Sequence, residues 1–181
     1  FMNESELIIN IQNGDSDSFR KLFDLYRDKT VRTAYHITGS QAAAEDVAQE
    51  AFVKCYFEIG KLQNPECFKT WFYRLLVRTA WRYAAVEKKS VPVEEVFDQS
   101  RTSEEKSVEQ QYLETELTNT LYKQIQKLDK KRRTTVMLFY YSGLSTKEIA
   151  RVMGCMEGTV KSRLHSSRKI LKHNLENLQL K

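Results

Sequence analysis

The chain has 181 residues, 41% apolar and 29% charged, which bounds it to one large or two small domains and excludes wholesale disorder. Six glycines, two prolines and no sustained period-2 alternation predict an all-α protein built of long helices. The net charge is +5, and the whole excess falls between Leu144 and Lys181, where eight Lys/Arg meet three Glu. A basic end of this kind fits a polyanionic partner, most simply nucleic acid, and fits equally a solvated basic helix.

A first helix is expected over Glu4 to Asn13, with Leu7, Ile8 and Ile11 on one face and Gly14 as its stop. Asp15 or Ser16 caps a second helix that carries Phe19, Leu22, Phe23 and Tyr26 at i, i+3, i+4, i+7. It continues, or breaks and resumes, through Val31, Ala34, Tyr35 and Ile37 to Gly39. Ser40 opens a third helix with Ala44, Val47, Ala48, Ala51, Phe52 and Tyr56 as apolar positions. On its other side Asp46, Gln49 and Glu50 stand at i, i+3, i+4 and share a face, either solvated or docked on a basic partner.

Gly60, Asn64 and Pro65 make residues 59–67 a loop, and a fourth helix is expected from Phe68 to Val86. Arg74, Arg78 and Arg82, four apart, form one basic stripe opposite Phe72, Leu75, Leu76 and Thr79. Trp71, Tyr73, Trp81 and Tyr83 add aromatic surface near the stripe. Basic groups track a phosphate backbone and aromatic faces stack on unpaired bases, although Trp71 and Phe72 also suit a core. From Ser90 to Glu116 eight acidic residues meet two basic ones, and Pro92 blocks helix at the start. This reads as a flexible acidic linker, either a spacer or a segment that lies in a partner's basic channel. Its end is expected to enter a helix from about Val108 through Leu113, Leu117, Leu121 and Ile125.

Val136 to Tyr140 form an apolar helix that closes a second small bundle. Ser145 with Glu148 three residues on is a capping box, and it starts a helix over Thr146 to Met153 that Gly154 ends. Ile149, Ala150 and Met153 are its inner face; Val160 and Leu164 are that of the next helix, from near Glu157 to Thr159. The Ala150–Gly154–Val160 spacing is that of a helix-turn-helix. Thr159, Lys161, Ser162 and Arg163 lie on the first turns of the second helix, followed by His165, Ser166 and Arg168. These groups are able to bind phosphates or base edges on a helix sized for a major groove; the alternative is an ordinary helical hairpin with a basic surface.

Cys55, Cys67 and Cys155 lack metal-ligand spacing and read as reduced thiols, with Cys55 and Cys155 among apolar neighbours. No signal peptide and no apolar run near 18 residues is seen, so neither membrane span nor export by that route is expected. Phe1, ahead of Met2, reads as an addition. His36, His165 and His173 are scattered, no ligand set or carboxylate pair emerges, and no enzyme, metal, cofactor or small-molecule substrate is expected.

Together these stretches resemble the extracytoplasmic-function (ECF) sigma factors of the sigma-70 family, over nearly the whole chain. Ala-Glu-Asp-x-x-Gln-Glu-x-Phe at Ala44 to Phe52 is similar to their region 2.2. Phe-x-x-Trp-x-Tyr-Arg at Phe68 to Arg74 is similar to the segment that melts the −10 promoter element. Gly158-Thr-Val-Lys-Ser-Arg-Leu-His is similar to region 4.2, which reads the −35 element. The resemblance implies region 2 over residues 3–88, a linker over 89–111 and region 4 over 112–181. It assigns core-polymerase binding to Asp46, Gln49, Glu50 and Phe52, and −10 DNA to Lys69, Trp71, Tyr73, Arg74, Arg78 and Arg82. It assigns −35 DNA to Thr159, Lys161, Ser162, Arg163, His165, Ser166 and Arg168. The loop at about Gly60 to Cys67 would hold a flipped non-template base.

The implied partners are core RNA polymerase, through its β′ clamp helices and β flap, promoter DNA, and an anti-sigma factor, often membrane-bound. The implied place is the bacterial cytoplasm, in a stress response. The chain departs from the family at Arg78 (commonly Asn), Arg82 (often Asp) and Ser166 (commonly Arg). The first two imply either a different −10 preference or stronger phosphate binding; the third removes one expected −35 or phosphate contact. The rival reading is a helix-turn-helix activator that binds duplex alone and dimerises. A helical adaptor that binds only proteins would leave the basic helix without a role.

Overall fold

The computed structural model of the chain describes residues 3–87 and 118–179, and all regular structure among them is helical. The acidic linker expected at 89–111 lies outside the described residues, as do Val108, Leu113 and Leu117.

Helix α1 (Glu4–Gln12) starts at an Asn3 capping box closed by Glu6. Helix α2 (Ser16–Thr38) is capped by Asp15 and runs unbroken to Gly39, whose φ of 84° ends it in the left-handed region. Ser40 caps α3 (Gln41–Glu58). Two short 3₁₀ turns, Ile59–Lys61 and Pro65–Cys67, form the expected loop before α4 (Phe68–Glu87). The Gln12 amide clamps this loop by donating to the carbonyls of Ile59 and Leu62 at 3.0 and 2.8 Å. Tyr26 sits at the centre of the four-helix bundle, edge-on to Phe68 and Phe72, with Phe52 tilted against Phe72. Its phenol donates to Glu4, so the hydroxyl that it brings into that aromatic core is satisfied.

The second bundle contains a helical stretch at residues 118–126 (α5), α6 (Lys130–Val136), α7 (Thr146–Met153) and α8 (Glu157–Gln179). The apolar helix expected through Tyr140 changes character: after Val136 it widens into a π-helical turn over Met137–Tyr141. Ser142 N–H then reaches back to the Met137 carbonyl at 3.0 Å, and Leu144 N–H to Leu138. The turn buries Met137 and Leu138 and leaves Tyr140 exposed. The capping box at Ser145 and Glu148 is present, and Gly154 ends α7 at φ 63°.

The two bundles share one continuous buried core. α4 lies along α7, and α2 lies against α6 and the π-helical turn. Val152, on no expected inner face, is buried because α4 covers that side of α7. Thr33, deep in α2, shares a hydrogen bond of 3.1 Å with Ser142, so two hydroxyls inside the seam satisfy each other.

Candidate nucleic-acid interface

Helix α8 is seated by Val160, Leu164 and Ser167, all buried, at i, i+4, i+7. That seat turns Lys161, Ser162, His165 and Arg168 to solvent. Lys161 keeps 65% of its side chain exposed while pairing with Glu157 one turn back at 3.0 Å. Glu157 also accepts from Thr146 at 2.7 Å, which ties the start of α8 to α7. Arg163 leans inward, its guanidinium 3.6 Å from Cys155 Sγ and 3.9 Å from Met153 Sδ. Ser166 is half-buried: its hydroxyl donates to the Arg163 carbonyl at 3.1 Å and accepts from Arg132 Nε at 3.0 Å. Met156, in the turn, is 79% exposed beside this face.

The arginine–aromatic helix α4 is held differently. Phe68, Phe72 and Tyr73 are buried and Trp71 half-buried, so three of the four aromatics nearest its start belong to the core. Burial raises the Tyr73 phenol above its ordinary value. Lys69 donates to the Gly143 carbonyl at 3.0 Å, and Arg74 donates to the Arg151 carbonyl at 2.7 Å. Trp81 donates its indole N–H to Thr134 at 3.1 Å, with the Lys130 ammonium over its ring. Arg74 and Arg78 line a narrow cleft whose far wall is Arg151, Val152, Met153 and Gly154 of α7. Arg82, at the end of the stripe, pairs with Glu50 of α3.

That last pair joins two sets of residues that sequence places on separate faces. Asp46 and Gln49 are exposed, Glu50 is half-buried and Phe52 is buried as part of the aromatic core. The Lys54 ammonium, helped by Arg82, holds the Glu50 carboxyl below the usual carboxylate range against the opposing effect of burial. Beside Gln49 an apolar groove is lined by Phe19, Phe23, Val53, Tyr56 and Phe57, the last 74% exposed.

A third cluster sits where α2 ends against α5 and α6. Tyr122 stacks on Tyr35 with ring centres 5.2 Å apart. Arg133 donates to the Gln126 carbonyl at 2.9 Å and to Ile37 at 3.1 Å, placing a cation at the C-terminal end of α2. His36 is enclosed here with Nδ1 unpaired, and burial together with Arg133 and Arg32 pushes its pKa down to about 4. Sequence reasoning did not single out Arg132 or Arg133; the run of four cations after Asp129 was the available signal.

Cys55 is buried, which pushes its thiol up to about 12; Cys67 is exposed and Cys155 half-buried. Among the described residues no group of His, Cys, Asp or Glu could hold a metal ion, and no helix is long and apolar enough to cross a membrane.

Comparison with known proteins matches residues 22–89 to sigma-70 region 2 and residues 118–171 to sigma-70, region 4. The ECF RNA polymerase sigma factor SigW of Bacillus subtilis (strain 168) is 33% identical, with 93% of this chain and 94% of that protein covered. Among solved structures, CnrH in complex with the cytosolic domain of CnrY superposes with a TM-score of 0.72 at 19% identity, over 96% of this chain and 97% of that one. The sigma factor RpoE in complex with the anti-sigma factor NepR from Bartonella quintana gives 0.68 at 21% identity, over 87% and 96%. These two likenesses show the fold.

Proposed function

The chain belongs to the ECF RNA polymerase sigma factors, and from that premise we propose how its faces divide the work of starting transcription. As a sigma factor it is an initiation factor, which binds core RNA polymerase and promoter DNA; the work is binding and strand separation.

In our reading, residues 3–88 are region 2, residues 112–181 are region 4, and the acidic stretch at 89–111 threads into the polymerase. Asp46, Gln49 and Glu50 dock on the β′ clamp helices, with Phe52 bracing their helix from inside. Region 4 sits on the β flap and offers Lys161, Ser162, His165 and Arg168 to the −35 duplex, flanked by Thr159, Arg163 and Ser166. The α4 stripe of Lys69, Arg74, Arg78 and Arg82, with Trp71 and Tyr73 behind it, takes the unpaired −10 strand. Capture of unpaired bases favours the melted state by binding it better than the duplex. The loop clamped by Gln12 stands where a flipped base would be held.

The observation that carries this reading is one chain holding an exposed basic recognition helix, an arginine–aromatic helix and an acidic docking face. The bond from Arg74 to Arg151 and that from Lys69 to Gly143 add an order of events: α7 must leave α4 before the −10 strand can lie there. Core polymerase, by binding the two bundles apart, would provide the free energy for that separation. An anti-sigma factor would do the opposite by covering the same faces; the RpoE structure is a complex with such a factor, NepR. We place this work in the bacterial cytoplasm, with a membrane-bound anti-sigma factor and a stress signal as the control.

Run-off transcription with core polymerase on a genomic promoter library tests the reading. Specific initiation only in the presence of core is expected. A folded chain that binds core yet yields no specific transcript would sink it, and tight duplex binding by an isolated dimer would favour an activator.

A further inference from the structure

We propose that Arg132 of α6 belongs to the −35 reading surface and places its guanidinium on the duplex beside Ser166. The inference rests on the reading of α8 as the duplex-binding helix. Ser166 stands four residues after Ser162 and three before Lys169, so all three share the side of α8 turned from its seat. A serine has one donor, and that of Ser166 is engaged within the helix, on the Arg163 carbonyl at 3.1 Å. Its oxygen accepts from Arg132 Nε at 3.0 Å. What position 166 presents outward is therefore a guanidinium that arrives from another helix.

Arg132 is also held from its other side. Asp129 caps α6 by accepting from the N–H groups of Lys131 and Arg132, each at 3.1 Å, and its second oxygen pairs with Arg132 Nη1. The fork is thus fixed between Asp129 and Ser166 before any DNA arrives, while the side chain stays 41% exposed. An arginine so fixed has less rotamer freedom to lose on binding, and with Nε on Ser166 and Nη1 on Asp129 it is Nη2 that is left to donate to an acceptor. The acceptor is a backbone phosphate or a guanine edge of the duplex.

The test uses the full chain assembled with core polymerase, on a promoter recovered from a fragment library by run-off transcription with the unsubstituted chain. Arg132→Ala is expected to weaken promoter binding roughly tenfold with core binding unchanged. The log–log salt slope should fall by about one if the acceptor is a phosphate; discrimination at one −35 position should relax if it is a guanine. Arg132→Lys, which keeps charge without the fork, should recover only part of the affinity. Lys161→Ala is the control. If it loses −35-dependent initiation while Arg132→Ala behaves as the unsubstituted chain, the inference is overturned and the reading of α8 stands. If neither variant changes, the reading of α8 falls and the inference with it. A loss that persists on a promoter with a scrambled upstream element, or that follows a lowered melting temperature, would make Arg132 a brace between α6 and α8 and overturn the inference.

Discussion

On α8, Lys161, Ser162, His165 and Arg168 face solvent, and the ion pair of Lys161 with Glu157 is a surface contact that a phosphate displaces at little cost. On α4 Lys69 and Arg74 donate to backbone carbonyls of the loop before α7 and of α7 itself, Arg82 is paired with Glu50 of α3, and Arg78 is exposed. The two helices carry the same kinds of residue, yet one face is open and the start of the other is engaged by the protein's own second bundle. If the two faces take the promoter elements proposed for them, the difference implies that they are engaged under different conditions: the α8 face is open as folded, whereas Lys69 and Arg74 of α4 come free only when α4 and α7 part.

The largest effect expected is on the open face. Replacing both Lys161 and Arg168 with alanine should cut upstream-dependent initiation by roughly a hundredfold, at about 1–3 kcal/mol for each good contact, and leave core binding intact. Loss of core binding instead, in a pull-down with polymerase, would break the division between the faces. Next comes the seam. Trp81→Ala removes the hydrogen bond to Thr134 and the surface under Lys130, and should weaken the closed arrangement by about 2 kcal/mol. Hydrogen exchange at α7 should then rise before either bundle unfolds; unchanged protection would show that Trp81 does not hold the seam. Glu50→Ala leaves Lys54 and Arg82 without their common carboxylate, and core binding should fall by roughly tenfold with DNA binding by α8 unaffected.

The smallest effect is pH dependence at the seam. His36 titrates at about 4 in the folded chain and near 6.5 when unfolded, so the unfolded state binds more protons between those values. Stability is therefore full above about pH 6.5 and is lost as pH falls toward 4. Arg32, Arg133, Tyr35 and Tyr122 are the charged and titratable groups around it, and the two arginines act in the same direction as burial. A loss on the order of 1 kcal/mol between pH 7 and about pH 5.8 is expected, and it should shrink in His36→Gln when both are followed by denaturant melts at the two pH values.

The local stops and starts were legible because each depends on a few adjacent residues. Asp15, Ser40 and Ser145 cap where their side chains predict, and Gly39 and Gly154 take the positive φ that ends their helices. The helix-turn-helix was legible for the same reason. The π-helical turn after Val136 was not, because its bonds from Ser142 to Met137 and from Leu144 to Leu138 depend on what that turn packs against. Tyr73 shows the same limit from the other side. Its place near the arginine stripe predicts aromatic surface, but Tyr26 and the π-helical turn's neighbour Ser142 enclose it.

The sequence by itself determined an all-helical chain of two bundles, the caps of its helices, the helix-turn-helix and the residue types offered to DNA and polymerase. Periodicity and capping are local, and a single strand of text records them. Only the tertiary structure decided that α4 lies on α7, that Arg82 reaches Glu50, and that Arg132 stands in front of Ser166. Those contacts join residues 32 or more apart along the chain, and they follow from which apolar faces bury one another, a choice that no local pattern encodes.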